Sequence, residues 1–136
     1  MIAPDLNDLI GIPFDKNGFG PEGYSCYGLL VEVFKRFGYI IPVTDIAACA
    51  CKQASKKEIK NHVDNYWTLT KIITPPTGLI IRSVNSDLHA DHVGVAISKR
   101  RFIHVYANGS VTVNHISDWK NRILGYYTYD NIHQNS

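Results

Sequence analysis

The feature that most constrains the fold is a run of apolar residues with helical spacing that begins at Cys26. Its members lie at offsets 0, 3, 4, 7, 8 and 11 and share one face of an α-helix: Cys26, Leu29, Leu30, Val33, Phe34 and Phe37. Ser25 is a favourable N-cap, and Gly38 is a favourable stop. The sequence therefore predicts a helix that packs one face on a core and carries Cys26 in its first turn.

The second half of the sequence is rich in short β-type runs. We predict about five strands, within residues 79–81, 92–98, 101–106, 110–114 and 123–129. Lys99-Arg100 and Asn108-Gly109 fall between strands as tight turns. Helices followed by an antiparallel meander predict an α+β fold, with N-terminal helices packed on a C-terminal sheet.

Two further helical segments are predicted. Leu6, Leu9 and Ile10 form a short apolar stripe near the N-terminus. Residues 45–76 contain a capping-box pattern at 55–58, followed by apolar residues at helical spacing: Ile59, Val63, Tyr66 and Trp67.

Composition limits the number of domains and the classes of partner. The 136 residues, 45% of them hydrophobic, fit a single folded domain covering 1–136. A net charge of +2 without a basic stripe predicts no nucleic-acid partner, and no apolar run is long enough for a membrane span. The N-terminus lacks a basic region, so we expect no secretory signal and synthesis in the cytoplasm. Three cysteines make a disulfide framework unexpected.

Three side chains could form a nucleophilic site. A helix N-terminus stabilises a thiolate, which makes Cys26 the candidate nucleophile. His92 shares a strand face with Gly94 and Ala96, small residues that suggest room for a ligand. A hairpin would place His104 on that same face, giving a nucleophile, a base and an orienting residue. Taken singly, the pattern favours a buried thiol for Cys26 and structural imidazoles for the two histidines, so the nucleophilic site is predicted from the combination of the three.

A metal site would use some of the same residue types. Cys49, Cys51 and His62 could be ligands, but a Cys-x-Cys pair with one distant histidine lacks the usual zinc spacing. His89 and His92 are predicted in a loop and a strand rather than on one helix face. We therefore predict no metal site.

Several stretches resemble NlpC/P60 peptidases in family order. Residues 9–14 and 23–30 look like the loop and nucleophile helix, residues 91–97 resemble the histidine strand, and residues 101–105 resemble the strand with the third catalytic residue. The resemblance covers most of the chain, namely 6–44 and 77–129, so residues 45–76 are interpreted as a family-variable helical insertion. Residues 26–29 and 119–127 are also similar to the phage-tail branch, whose members belong to tail-tip assemblies that meet the bacterial wall.

The resemblance implies a papain-like fold and a cysteine peptidase acting on peptidoglycan stem peptides. Cys26 would attack the carbonyl, His92 would carry the proton and His104 would orient His92. The backbone N–H of Cys26 would stabilise the oxyanion, and no metal or organic cofactor would be needed. It further implies action in the cell-wall compartment, with tail proteins as partners if the phage-tail branch applies.

Departures from the family pattern motivate one alternative to a peptidase, although all three core residues are retained. Ser25 stands where the family usually has Asp, and Phe14 stands where many members have a Tyr phenol near the nucleophile. Tyr24 or Tyr27 could replace that phenol, so we predict substrate contacts for these three aromatic residues. That alternative is an inactive structural module of a tail or wall-binding assembly. A third possibility is an amidase or acyltransferase using the same triad on a lipid or another amide, and the lack of an amphipathic or membrane-anchoring stretch weighs against a lipid.

Overall fold

The computed structural model of the protein describes residues 3–41, 67–82 and 92–129. Within these ranges the chain forms two α-helices, α1 (Cys26–Arg36) and α2 (Ile116–Trp119), and two 3-10 helices, Asn7–Leu9 and Lys120–Arg122. The described strands are β1 (Trp67–Thr70), β2 (Thr77–Ile81), β3 (His92–Ala96), β4 (Arg101–His104), β5 (Thr112–His115) and β6 (Ile123–Tyr129).

Helix α1 begins after a serine N-cap and ends at a glycine with positive φ. The side-chain oxygen of Ser25 accepts a hydrogen bond from the Gly28 N–H at 2.9 Å, which satisfies one amide of the first turn. Gly38, with a φ of +100°, ends the helix. The N–H groups of Gly38 and Tyr39 donate to carbonyls of the last turn, each at 2.9 Å, as in a Schellman motif. The predicted helix, cap and stop are confirmed.

The strands form one antiparallel sheet in the order β1-β6-β2-β3-β4-β5. Strands β2 to β5 make the expected meander. Strand β6 returns to pair with β2 on its other side, and β1 pairs with the outer side of β6. The α+β prediction is confirmed, although the sheet of the described residues has six strands rather than about five.

The sheet is covered on both faces around β3 and β4. Since successive strand residues point to opposite faces, Val95 and Ile103 join the core cluster of α1. Ala96 and Phe102 point the other way and join a second cluster with Ile116 of α2. Helix α1 packs mainly on β3 and makes a smaller contact with β4. This places the start of α1 and the strands that carry both candidate histidines in one packed unit.

Two predicted helical segments differ from the structure. The stripe at Leu6, Leu9 and Ile10 contains only the 3-10 turn Asn7–Leu9. Trp67, predicted in a helix, begins strand β1, where its ring contacts Phe34 at 5.3 Å between centroids. Pairing of β1 with the distant β6 therefore overrides the local helical spacing.

The rest of the predicted insertion, up to residue 66, lies outside the described residues. In the part of the chain that is described, no helix has the length and hydropathy needed to cross a bilayer.

Candidate active site

Cys26 is held at the start of α1 by the loop that precedes the helix. It is the first residue of α1, and 7% of its surface is exposed. The N–H and the hydroxyl of Ser25 both donate to the Gly18 carbonyl, at 2.8 and 3.0 Å. Because the same hydroxyl caps α1, Ser25 joins the loop to the helix and fixes the backbone on which Cys26 lies.

Gly28 allows that loop to cross α1 at very short range. A β-carbon at this position would collide with the Gly18 carbonyl oxygen and come within 3.0 Å of the Ser25 hydroxyl oxygen. A glycine is therefore required in the first turn of α1 for the loop to reach the helix.

The two candidate histidines are in direct contact. The antiparallel register of β3 and β4 pairs Val95 with Ile103 and Ala96 with Phe102, which brings His92 diagonally opposite His104 on one face. The Nε2 atom of His92 lies 2.9 Å from Nδ1 of His104, within hydrogen-bond distance. The structure thus brings the predicted base and the predicted orienting residue together.

Asn114 extends this pair into a chain of three side chains. Its Oδ1 atom lies 2.6 Å from Nε2 of His104. Strand β5 places Thr112 opposite His104, and Asn114, two residues along, lies on the same face. The sequence analysis did not select Asn114. The available signal was that Thr112 and Asn114 are polar at alternate positions and so share a strand face.

Aromatic rings surround His104. Its ring centroid lies 4.5 Å from that of Phe102, 4.9 Å from that of Tyr106 and 4.9 Å from that of Trp119. The guanidinium of Arg122 lies over the Trp119 ring, 4.3 Å from its centroid. Phe102 and Tyr106 stand two residues before and two residues after His104 in the sequence, whereas Trp119 reaches the site from α2, which was not predicted.

Both imidazoles lie in surroundings that oppose protonation. Burial is the largest cause lowering the pKa of His92, and positive charge on His104 and Arg122 lowers it further. Burial likewise lowers the pKa of His104. The hydrogen bond to Asn114 raises that pKa, and Arg122 lowers it. Because both pKa values lie below the ordinary histidine range, both rings are uncharged at neutral pH. The uncharged imidazole is the form that can accept a proton as a base.

The face beside His92 is filled rather than open, contrary to the expectation of room for a ligand. A β-carbon at Gly94 would lie 3.1 Å from a ring carbon of Phe102 and 3.3 Å from Cβ of His104. Ala96 is completely buried. The small side chains therefore make space for the rings of β4, not for an incoming molecule.

Burial also argues against two of the expected substrate contacts. Tyr27 is 1% exposed within the core, and burial is the main cause that raises the pKa of its phenol. Tyr24 is 3% exposed, and its hydroxyl lies against the backbone of Gly20. Little of either phenol is therefore exposed to a ligand, and both substrate contacts stay predictions. Phe14 is half-buried against the cluster that contains Cys26, and its substrate contact stays a prediction.

The described ranges contain no group of three or more histidine, cysteine or acidic side chains arranged to hold a metal ion. The alternative metal ligands Cys49, Cys51, His62 and His89 lie outside the described residues.

Comparison with solved structures identifies the fold. The chain is similar to an NLP/P60-family lipoprotein-like protein from Staphylococcus aureus, with a TM-score of 0.60 and 16% identity over 90% of this chain and 38% of the other. It is also similar to NlpC2 from Trichomonas vaginalis, with a TM-score of 0.61 and 16% identity over 90% of this chain and 44% of the other. No family model and no curated protein matches the sequence.

The chain spans less than half the length of both structures. At this identity the similarity shows that the protein has the NlpC/P60 fold.

Proposed function

We propose that the protein is a cysteine peptidase that hydrolyses amide bonds in peptidoglycan stem peptides. The observation that carries the proposal is the hydrogen-bonded pair of His92 and His104, which lies on strands packed against the helix that begins at Cys26. In an NlpC/P60 fold these residues stand in the order nucleophile, base and orienting residue, as the sequence resemblance implies.

The proposed reaction has two halves. His92 takes the thiol proton of Cys26, and the thiolate attacks the amide carbonyl carbon to give a tetrahedral oxyanion. The backbone N–H of Cys26 donates to that oxyanion at the helix start. Collapse breaks the C–N bond as His92 gives its proton to the leaving amine. A water molecule, deprotonated by His92, then hydrolyses the thioester and regenerates the thiol.

The substrate class comes from the family resemblance. Members of the NlpC/P60 family cut stem-peptide amides, often between D-γ-glutamyl and a diamino acid, and we propose that class of bond here. Similarity of residues 26–29 and 119–127 to the phage-tail branch motivates a place in a tail assembly that acts on the wall.

The second candidate function is an inactive structural module of a tail or wall-binding assembly. Phe14 favours this alternative because it lacks the hydroxyl that many family members place near the nucleophile. Tyr24 and Tyr27, the candidate replacements, are 3% and 1% exposed, which leaves little of either side chain open to a ligand.

Digestion of purified peptidoglycan, followed by mass spectrometry of the released fragments, tests the two functions. A peptidase releases stem fragments with new amino termini, and Cys26→Ala and His92→Ala abolish that release. The exposed His115 provides a matched control, because His115→Ala removes an imidazole outside the His92–His104 pair and should leave release unchanged. Absence of fragments with the folded wild-type protein would favour the structural module.

A further inference from the structure

We propose that Asn114 is a positioning residue that fixes the tautomers of His104 and His92, and thereby leaves the lone pair of His92 on Nδ1. The inference deepens the proposed function and rests on it for its catalytic meaning. Its structural content, the protonation pattern of two rings, can be measured without substrate.

The pattern follows from donor and acceptor identities along the chain of three side chains. A carbonyl oxygen only accepts, so Oδ1 of Asn114, at 2.6 Å, requires the proton of neutral His104 on Nε2. Nδ1 of His104 then carries a lone pair and accepts from Nε2–H of His92 at 2.9 Å. A neutral His92 with its proton on Nε2 has its remaining lone pair on Nδ1. That nitrogen is the one available to take the thiol proton.

An amide suits this position better than a carboxylate because it adds no charge. Among the described residues, the groups with charge or a titratable proton around His104 are His92 from β3, Tyr106 after β4 and Arg122 before β6. A carboxylate at position 114 would raise the pKa of His104 and favour its imidazolium form. The Nδ1–H of that form would donate to Nε2 of His92 and push the proton of neutral His92 onto Nδ1. With its proton on Nδ1, His92 would have no free lone pair to accept the thiol proton of Cys26.

Two substitutions separate this role from simple packing. Asn114→Asp keeps size and shape, so a merely structural role predicts little change. We expect instead that the acid limb of kcat/KM moves to higher pH by about one unit or more. Activity returns at alkaline pH, where neutral His104 again donates Nε2–H to the carboxylate. Asn114→Leu removes the acceptor, and we expect kcat to fall about tenfold or more with little change in KM.

The direct readout is the set of imidazole ¹⁵N shifts in histidine-labelled protein, which distinguish the two neutral tautomers and the imidazolium. We expect Nε2–H tautomers for both rings in the wild-type protein at pH 7. Asn114→Leu should give mixed tautomers at His104. Thr112→Val is the matched control, because Thr112 opposes His104 on the same strand face while both ring nitrogens bind other partners. It should keep the wild-type tautomers.

A proton on Nδ1 of His92 in the wild-type protein overturns the inference. So does an Asn114→Asp protein whose tautomers and acid limb are unchanged. The expected tautomers in a folded protein that cannot cut stem peptides would instead support the inference and contradict the proposed function. Since the labelled wild-type protein alone gives a decisive result, failure of either variant to fold leaves the test intact.

Discussion

Ser25 uses one buried hydroxyl for two hydrogen bonds. It accepts from Gly28 N–H at 2.9 Å and donates to the Gly18 carbonyl at 3.0 Å, and 1% of its surface is exposed. A side chain that only accepts could cap the helix but would place a second oxygen against the Gly18 carbonyl. The serine in place of the family's usual aspartate is therefore matched to this loop.

Replacement of Ser25 by Asn or by Asp tests that match. Both side chains are similar in size and offer an oxygen to Gly28, but only the Asn amide can also donate to Gly18. We expect Ser25→Asp to lower the free energy of unfolding by about 1–3 kcal/mol more than Ser25→Asn, because it buries a charged oxygen against the Gly18 carbonyl and has no proton to donate to that carbonyl. Urea unfolding of the two variants gives the comparison. Equal free energies of unfolding would show that the hydrogen bond to the Gly18 carbonyl contributes little to stability.

The two histidines should differ in how they tolerate substitution. His92 is assigned the proton transfer, and loss of a general base typically costs roughly 10²–10⁴-fold in rate. His104 only has to accept from Nε2–H of His92, a task that the carbonyl of a glutamine can perform. We expect His92→Ala to be nearly inactive and His104→Gln to retain measurable kcat/KM on a stem peptide. A folded His104→Gln protein as inactive as His92→Ala would contradict this division.

The first turn of α1 and the loop that crosses it are packed so closely that a change in one must displace the other. Gly28→Ala forces the Gly18 carbonyl away from the helix. We expect a loss of about 1–3 kcal/mol in the free energy of unfolding, the usual cost of overpacking a tight contact. Lys35→Ala, at an exposed position of the same helix, should change stability by no more than about 0.5 kcal/mol. Similar losses in the two variants would show that the crossing tolerates a methyl group.

Local signals explain which elements the sequence could predict. Helix α1 combines an apolar helical periodicity, the N-cap Ser25 and the terminating Gly38 within 14 residues, and its apolar face is the one that packs in the core. Strand β1 has no such signal: Trp67 fits a helical spacing, and its strand conformation depends on pairing with Tyr129. Asn114 was missed for the same reason, because a single polar residue gains its meaning only from the register of β4 with β5.

For the molecule as a whole, the buried imidazoles link stability to pH. The pKa values of His92 and His104 are lowered in the folded state, chiefly by burial, while in the unfolded chain they return to about 6.5. As pH falls below about 6.5 the unfolded state binds more protons, so the stability present at neutral pH is lost on acidification. We expect up to about 1.4 kcal/mol per pH unit for each titrating ring.

Urea unfolding between pH 7.5 and pH 4.5 measures this dependence. The double variant His92→Asn, His104→Asn should show a shallower decline than the wild-type protein, whereas His115→Asn, which alters an exposed ring, should keep the wild-type slope. Identical slopes in the wild-type protein and the double variant would show that the two rings are not held uncharged by the fold.

The position of β6 between β1 and β2 has a consequence for how the sheet folds. A chain in which residues 123–129 have not yet paired lacks the strand that joins β1 to β2. Long-range pairing of this kind slows folding, and an unpaired strand edge invites association with other chains. We therefore expect β2 to expose one open edge until residues 123–129 pair with it and fill the gap.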